Sequence, residues 1–165
     1  MYNYSFQQYD DVKMARAAGV SLPISMKQTR EICQFIKHKS VQKVKDMLSR
    51  VAEQELPVPY TRFNRNVAHK PGIAGGRYPM KAAKEIQKVV ENAEANAQFK
   101  GLNVNNLVVV HAMVKQAAKP FHYGRIRGRQ MKRAHVEVVV QEMEAQKREK
   151  KGKQQDKQKA GAKQA

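Results

Sequence analysis

Acidic residues are scarce in this sequence. Its 165 residues include only 14 Asp and Glu against 32 Lys and Arg, so the formal net charge is +18. A chain this cationic repels itself, and its usual partners are polyanions, either nucleic acids or anionic membrane surfaces. The charge balance therefore predicts a protein that binds a polyanion.

Cysteine and long apolar runs are also scarce. Cys33 is the only cysteine, so an intramolecular disulfide is impossible, and we expect a reducing compartment and a buried, unreactive thiol. The N-terminal residues lack the apolar stretch of a secretory signal. The longest aliphatic run, residues 107–110, is too short to span a bilayer. These absences predict a cytoplasmic protein without a membrane partner.

Catalytic and metal-binding patterns are missing as well. Five histidines show no spacing typical of a metal site, and we expect His111 and His135 to form a polar pair across a sheet. The Gly-rich segment GIAGGR at residues 72–77 lacks the Gly-Lys-Ser/Thr and the preceding apolar strand of a phosphate-binding loop. We therefore predict no catalytic residue, no metal and no cofactor, and a protein that is not an enzyme.

Three segments carry helix signals. Ser25 is a candidate N-cap with Gln28 in capping-box spacing, and Ser40 is a candidate N-cap for a second helix close behind. A third helix ends at Gly101, a residue type typical of the position after a helix. Apolar residues recur at helical spacing in all three segments: Ile32, Phe35 and Ile36, then Val41, Val44, Leu48 and Val51, then Ala83, Ile86, Val90, Ala93 and Ala97.

Strand signals flank these helices. Residues 12–23 read as an irregular basic strand, residues 107–114 are rich in β-branched side chains, and Val136, Val138 and Val140 alternate with their neighbours. The last two segments are expected to pair antiparallel. If both continue toward the turn between them, each half of the hairpin extends about 55 Å at roughly 3.3 Å per residue.

The connection between those strands is strongly basic. Residues 115–134 contain seven Lys and Arg and no acidic residue. Arg125, Arg127 and Arg129 alternate with two other residues, so in an extended strand all three would point to one side, where guanidinium groups suit phosphates. Phe121, His122 and Tyr123 offer planar groups for stacking on unpaired bases. The alternative is a solvated, flexible loop without a partner.

A second basic element lies between the second and third helices. Pro57 and Pro59 end the second helix, and no sustained periodicity follows until residue 80. This stretch has no acidic residue but carries five basic side chains: Arg62, Arg65, His69, Lys70 and Arg77. It is predicted to be a loop threaded among RNA phosphates.

Three blocks resemble a known family. ISMKQTREICQFIKHKSVQKV at residues 24–44, KAAKEIQKVVENAEANAQFKGLN at 81–103 and GRIRGRQMKRAHVEVVV at 124–140 are similar to the universal large-subunit ribosomal protein family L-twenty-two, in its archaeal and eukaryotic branch. The resemblance covers about residues 12–142. It implies an α+β fold: three helices packed on a small antiparallel sheet, with a long protruding β-hairpin and a basic low-complexity C-terminal tail.

The resemblance also implies domain limits and a function. We expect an N-terminal extension at 1–11, a globular domain at 12–142 with a central basic loop at 57–80 and a hairpin at 107–140, and a tail at 143–165. Such a protein binds large-subunit rRNA, aids its assembly, contacts neighbouring ribosomal proteins as a monomer within the subunit, and lines the exit tunnel of the nascent polypeptide with its hairpin.

The resemblance assigns residues to these roles. The expected rRNA-binding residues are Lys13, Arg16, Lys27, Arg62, Arg65, His69, Lys70, Arg77, Lys115, Lys119, Arg125, Arg127, Arg129, Lys132 and Arg133. The expected tunnel-lining tip comprises Phe121, His122, Tyr123, Gly124, Arg125, Ile126, Arg127 and Gly128. Two rival classes share the charge. A non-ribosomal RNA chaperone would bind many RNAs without stable incorporation, and a polybasic membrane-surface protein would need a helix with a large apolar face free for lipid.

Overall fold

The computed structural model describes residues 2–143, so the predicted C-terminal tail lies outside the described residues except for Met143. The elements in chain order are β1 (Met14–Leu22), α1 (Met26–Ile36), α2 (Val41–Ala52), β2 (Val58–Pro59), β3 (Gly76–Arg77), α3 (Met80–Phe99), β4 (Leu107–Gln116) and β5 (Ala134–Glu142). Short 3-10 turns lie at Val104–Asn106 and Gly124–Ile126.

The main sheet has three antiparallel strands in the order β1-β5-β4. The β4–β5 ladder begins at Leu107 opposite Glu142 and ends at Gln116 opposite Ala134. Strand β1 pairs along the other edge of β5 and is more regular than its sequence indicates, with one register shift between Gly19 and Leu22. The three helices pack on this sheet, which confirms the predicted α+β class and the predicted pairing.

The helix ends follow the sequence in part. Ser25 and Ser40 occupy the N-cap positions of α1 and α2, but neither side chain makes a capping hydrogen bond, so the predicted capping box is wrong. The end of α3 is as predicted. Gly101 has φ of 78°, its N–H bonds Gln98 O at 2.9 Å, and the next N–H bonds Ala97 O at 3.0 Å. This pair of bonds is the Schellman arrangement, which favours glycine.

The core lies between the helices and one face of the sheet. The five residues that define the predicted face of α3 are all buried, as are Val136, Val138 and Val140 of β5 on the sheet side. Cys33 is buried among the same residues, as predicted. Burial raises the pKa of its thiol to about 12. The thiol is therefore protonated and unreactive at neutral pH.

The opposite face of the sheet is covered by the N-terminal segment, residues 2–11. There Ser5 donates through its backbone N–H to Glu137, whose side chain is fully buried, at 3.1 Å, and its hydroxyl donates to the same carboxylate. The rings of Phe6 and His111 lie 5.2 Å apart. The segment predicted to be an extension therefore supplies polar partners to a buried carboxylate and packs against the face of the sheet.

Candidate nucleic-acid interface

The basic end of the hairpin is not a continuation of the β ladder. Beyond Gln116 and Ala134, cross-chain backbone bonds are isolated: Ala117 N–H to Arg133 O, Met131 N–H to Pro120 O, and His122 N–H to Arg129 O. A single bridge joins Phe121 to Gln130. The turn therefore lies between residues 122 and 129, inside the region predicted for the tip, but the two halves are not extended strands over the predicted length.

The predicted one-sided alternation of Arg125, Arg127 and Arg129 is wrong. Residues Gly124–Ile126 form a 3-10 turn, Arg127 has helical angles, and Arg129 N–H bonds Ile126 O at 3.0 Å. Gly124 permits this turn because its φ is 70°. Upstream, Pro120 lacks the N–H that a ladder requires. The three arginines therefore lie on a turn and not along one face of an extended strand.

The side chains of this turn are open to solvent. Phe121 is 61% exposed, Tyr123 86% and Ile126 50%, although they are large and apolar in part. Six cations of the distal hairpin have no ion-pair partner among residues 2–143: Lys119, Arg125, Arg127, Arg129, Lys132 and Arg133. Exposed rings beside unpaired cations are typical of surfaces that bind single-stranded nucleic acid.

The central basic loop is held by a buried carboxylate that was not predicted. Glu31 on α1 is 2% exposed. It accepts hydrogen bonds from Thr61 N at 2.9 Å, Thr61 Oγ1 at 3.1 Å, Arg62 N at 3.3 Å and Phe63 N at 3.4 Å. Charge-assisted bonds of this kind are stronger than neutral ones. Glu31 therefore fixes the start of the loop, including Arg62, against the N-terminal half of α1.

The rest of the loop is closed by two short strands. Residues 58 and 59 pair with 77 and 76, and Tyr60 N–H bonds Gly75 O at 3.0 Å. Glycine suits position 76 because a Cβ there would lie only 3.0 Å from the backbone oxygen of Val58 on the paired strand and would also press on the side chain of Ile73. The stretch without periodicity is thus partly ordered by local pairing, and both Arg62 and Arg77 border one cavity.

The structure brings seven of the predicted RNA-binding residues to one place. Three adjoining cavities surround the N-terminus of α1, and each is bordered by both Ser25 and Lys132. We call this region the α1 cleft. Within residues 2–143, no Asp or Glu borders any of the three cavities. The predicted residues that border it are Lys27, Arg62, Arg65, Arg77, Lys119, Lys132 and Arg133.

Other predicted residues make contacts within the protein. Arg16 lies between the rings of Tyr4 and Tyr9, 4.6 and 4.4 Å from their centroids. Lys115 lies 3.5 Å from Glu137 Oε2 and donates to a backbone carbonyl of the N-terminal segment. In the central loop, Lys70 lies over the ring of Tyr78, and His69 Nδ1 lies 3.2 Å from Ala74 O. Lys13 is exposed.

The predicted polar pair of histidines is also wrong. His111 lies opposite Val139, and His135 lies opposite Lys115. Instead, His135 Nδ1 accepts a hydrogen bond from Ser21 N at 3.1 Å, and His111 Nε2 lies 3.5 Å from Glu137 Oε1. These contacts lie beside two irregularities of the sheet, a register shift in β4 after Val109 and one in β1 between Gly19 and Leu22. Neither feature is readable from the spacing of the two histidines.

Neither a metal site nor a membrane-spanning helix is present among the described residues. Residues 2–143 contain no group of three His, Cys, Asp or Glu able to hold a metal ion. In the same range, no helix is both long enough and apolar enough to cross a membrane. The α1 cleft and the hairpin turn are therefore the two features with the clearest binding chemistry.

Comparison with known proteins identifies the family. A family model described as ribosomal protein L22p/L17e matches residues 17–141. The chain is 39% identical to large ribosomal subunit protein uL22 of Archaeoglobus fulgidus in an alignment of length 147 that covers 84% of this chain and 95% of that protein. It is 38% identical to the uL22 protein of Ignicoccus hospitalis, over 87% of this chain and 97% of that protein. The chain therefore belongs to the ribosomal protein L22p/L17e family, in its archaeal type, as its sequence blocks predict.

Proposed function

We propose that this protein is a structural constituent of the large ribosomal subunit, that it binds large-subunit rRNA and aids its assembly, and that its hairpin lines the nascent-peptide exit tunnel. The role is structural because the family is one of ribosomal proteins. Its partners are large-subunit rRNA, neighbouring ribosomal proteins and the nascent polypeptide, and it is a monomer within a cytoplasmic subunit.

The observation that carries this proposal is the set of six distal hairpin cations without ion-pair partners among residues 2–143. Like charges on a narrow hairpin repel, and ordering each residue costs about 1–2 kcal/mol. Cross-strand pairs return only about 0.2–1 kcal/mol each. Phosphates on both sides would remove the repulsion and hold the hairpin, so RNA is the partner that fits best.

The turn residues suit a position at the boundary between rRNA and the open tunnel. Phe121, Tyr123 and Ile126 remain exposed beside the arginines. In the proposal, the arginines hold rRNA while residues of the set 121–128 face the tunnel lumen. Arg125 and Arg127 are both rRNA-binding and tunnel-lining residues in this proposal. A guanidinium group can bind phosphate along one edge and present its flat face to a passing peptide.

Incorporation into subunits tests this proposal. The variant Arg125→Gln, Arg127→Gln, Arg129→Gln would be expressed in cells beside the unaltered protein, and large subunits would be sedimented after a high-salt wash. A matched variant removes three exposed or partly paired cations on helices away from the hairpin: Lys43→Gln, Lys84→Gln and Lys88→Gln.

We expect the unaltered protein and the helix variant to remain with the large subunit. The amount of hairpin variant in the washed subunits should be lower by about tenfold or more, because each charge-assisted bond contributes about 1.5–3 kcal/mol. If the unaltered protein is washed off, the chain is an RNA-binding protein outside the ribosome. If both variants are lost equally, overall charge and not the hairpin determines incorporation.

A further inference from the structure

One of the cavities of the α1 cleft has the features of a built ligand site. Its volume is about 470 Å³, and it lies between the start of α1, the central loop and Lys132, which precedes β5 on the returning half of the hairpin. This volume falls in the range of about 300–1,000 Å³ that is common for small-molecule sites, and it exceeds the need of a lone phosphate. Four cations border it besides Lys132: Lys27, Arg62, Arg65 and Arg77.

The start of α1 provides hydrogen-bond donors at this cavity. The first-turn amides of a helix have no acceptor within the helix. The side chain of Ser25 does not cap them, and the first turn of this 11-residue helix carries no acidic residue. Ser25 and Gln28 both border the cavity. Free amides and the positive end of the helix dipole favour an anion here.

Tyr60 is an independent sign of a missing partner. It borders the same cavity and is only 7% exposed, and its buried hydroxyl has no hydrogen-bond partner among the described residues. Burial raises the pKa of this hydroxyl, an effect that Arg77 opposes and Glu31 adds to. The group is therefore a protonated donor at neutral pH. An unsatisfied buried hydroxyl is costly, and a ligand with oxygen or nitrogen acceptors would satisfy it once the side chain turns toward the cavity that it borders.

An aromatic ring completes the site. Phe63 borders the cavity, and Lys27 Nζ and Arg62 Cζ lie 5.6 and 6.0 Å from its centroid. Glu31 accepts a hydrogen bond from the backbone N–H of Phe63 at 3.4 Å, which anchors the main chain of this residue at the cavity. A planar ring beside cations is suited to a nucleobase with its phosphate.

We propose that this cavity binds one unpaired nucleotide of the RNA. Its phosphate lies at the first-turn amides of α1 with Lys27, Arg62 and Lys132, its base lies against Phe63, and Tyr60 donates to its sugar or base. This proposal rests on the proposed function for the RNA itself, but it concerns a site about one nucleotide wide, separate from the hairpin turn.

Two substitutions separate this site from general charge. Gln28→Glu puts a carboxylate in the first turn of α1, where it stabilises the helix itself but repels phosphate. Tyr60→Phe removes only the hydroxyl. Gln98→Glu makes the same charge change at an exposed position near the C-terminal end of α3 and serves as the control.

The experiment uses the full chain in two assays. Amide resonances of Met26, Lys27 and Gln28 are followed while a uridine hexanucleotide or inorganic phosphate is added at low salt, and affinity for large-subunit rRNA is measured at fixed salt. We expect the hexanucleotide to shift these amides, and we expect Gln28→Glu and Tyr60→Phe each to weaken hexanucleotide and rRNA binding by about three- to tenfold. Gln28→Glu should unfold at the same or a higher denaturant concentration, and Gln98→Glu should bind like the unaltered protein.

The outcomes are distinguishable. Unshifted first-turn amides in the presence of the hexanucleotide overturn the nucleotide site, whatever the rRNA affinity. Equal shifts with inorganic phosphate and no effect of Tyr60→Phe reduce the site to a phosphate contact and overturn the nucleotide assignment. If the hairpin variant no longer binds rRNA but the hexanucleotide still shifts these amides, the nucleotide site stands. If the unaltered protein does not bind rRNA although the hexanucleotide shifts the amides, the proposed function is refuted and the nucleotide site is not.

Discussion

The buried carboxylate of Glu31 offers a sharp test of how the central loop is positioned. Replacing it by alanine removes the acceptor of four hydrogen bonds from residues 61–63. A hydrogen bond to a charged group contributes about 1.5–3 kcal/mol. Thr61 and Arg62 are exposed, so water can replace part of what is lost. We expect the two shortest bonds, both from Thr61, to dominate, and Glu31→Ala to lower the free energy of unfolding by about 2–4 kcal/mol.

Urea denaturation of the isolated protein measures this change, with two comparisons. Glu31→Gln keeps one acceptor oxygen and should lose less, about 1–2 kcal/mol. Glu91→Ala removes an exposed carboxylate on α3 and should change stability by no more than about 0.5 kcal/mol. Because Glu31 also positions Arg62 and Phe63, Glu31→Ala should weaken rRNA binding even where the protein is fully folded. A loss below about 0.5 kcal/mol, with unchanged RNA affinity, would refute the role of Glu31 as the anchor of the loop.

Three further outcomes are expected. Deleting residues 121–130 and closing the hairpin with a short turn should change the thermal midpoint little, because none of these residues is in the core; an unfolded deletion variant would mean that the core extends into the turn. In the free protein, the backbone amides of residues 125–133 should exchange hydrogen rapidly, and in the subunit they should be protected. The buried face of α3 should be protected in both the free protein and the subunit. Slow exchange at residues 125–129 in the free protein would show that the distal hairpin is ordered without RNA. Cys33 should resist alkylation at pH 8 in the native protein and react fully in urea, since burial raises its pKa to about 12; rapid native labelling would contradict its burial.

Local chemistry explains which parts of the fold were predictable. The buried face of α3 follows from 3.6-residue spacing, and the end of that helix follows from the freedom of Gly101 to take a positive φ. The β4–β5 pairing follows from two β-branched segments that are close in the chain. Each of these features depends on neighbouring residues, so the sequence pattern contains the information.

Contacts between distant segments were not predictable from one sequence. Ser5 meets Glu137 across 132 residues, and Glu31 meets Thr61 across 30. Both carboxylates look like ordinary helix or strand surface residues until the partner segment is in place. The predicted extended strand at Arg125–Arg129 was wrong for another reason. Alternating arginines and glycine are compatible with either a strand or a turn, and the positive φ of Gly124 favours the turn at Gly124–Ile126.

The salt dependence of binding to large-subunit rRNA tests the central claim most directly. Six distal hairpin cations have no ion-pair partner among residues 2–143. If they bind phosphates, these six contacts alone should contribute about −4 to the slope of the logarithm of the binding constant against the logarithm of salt concentration, and phosphate contacts outside the hairpin should steepen it further. Arg125→Gln, Arg127→Gln, Arg129→Gln should make the measured slope less steep by about 2, whereas the helix variant with Lys43, Lys84 and Lys88 replaced should leave it unchanged. A slope near zero for the unaltered protein, or equal slopes for the unaltered protein and the hairpin variant, would contradict the account.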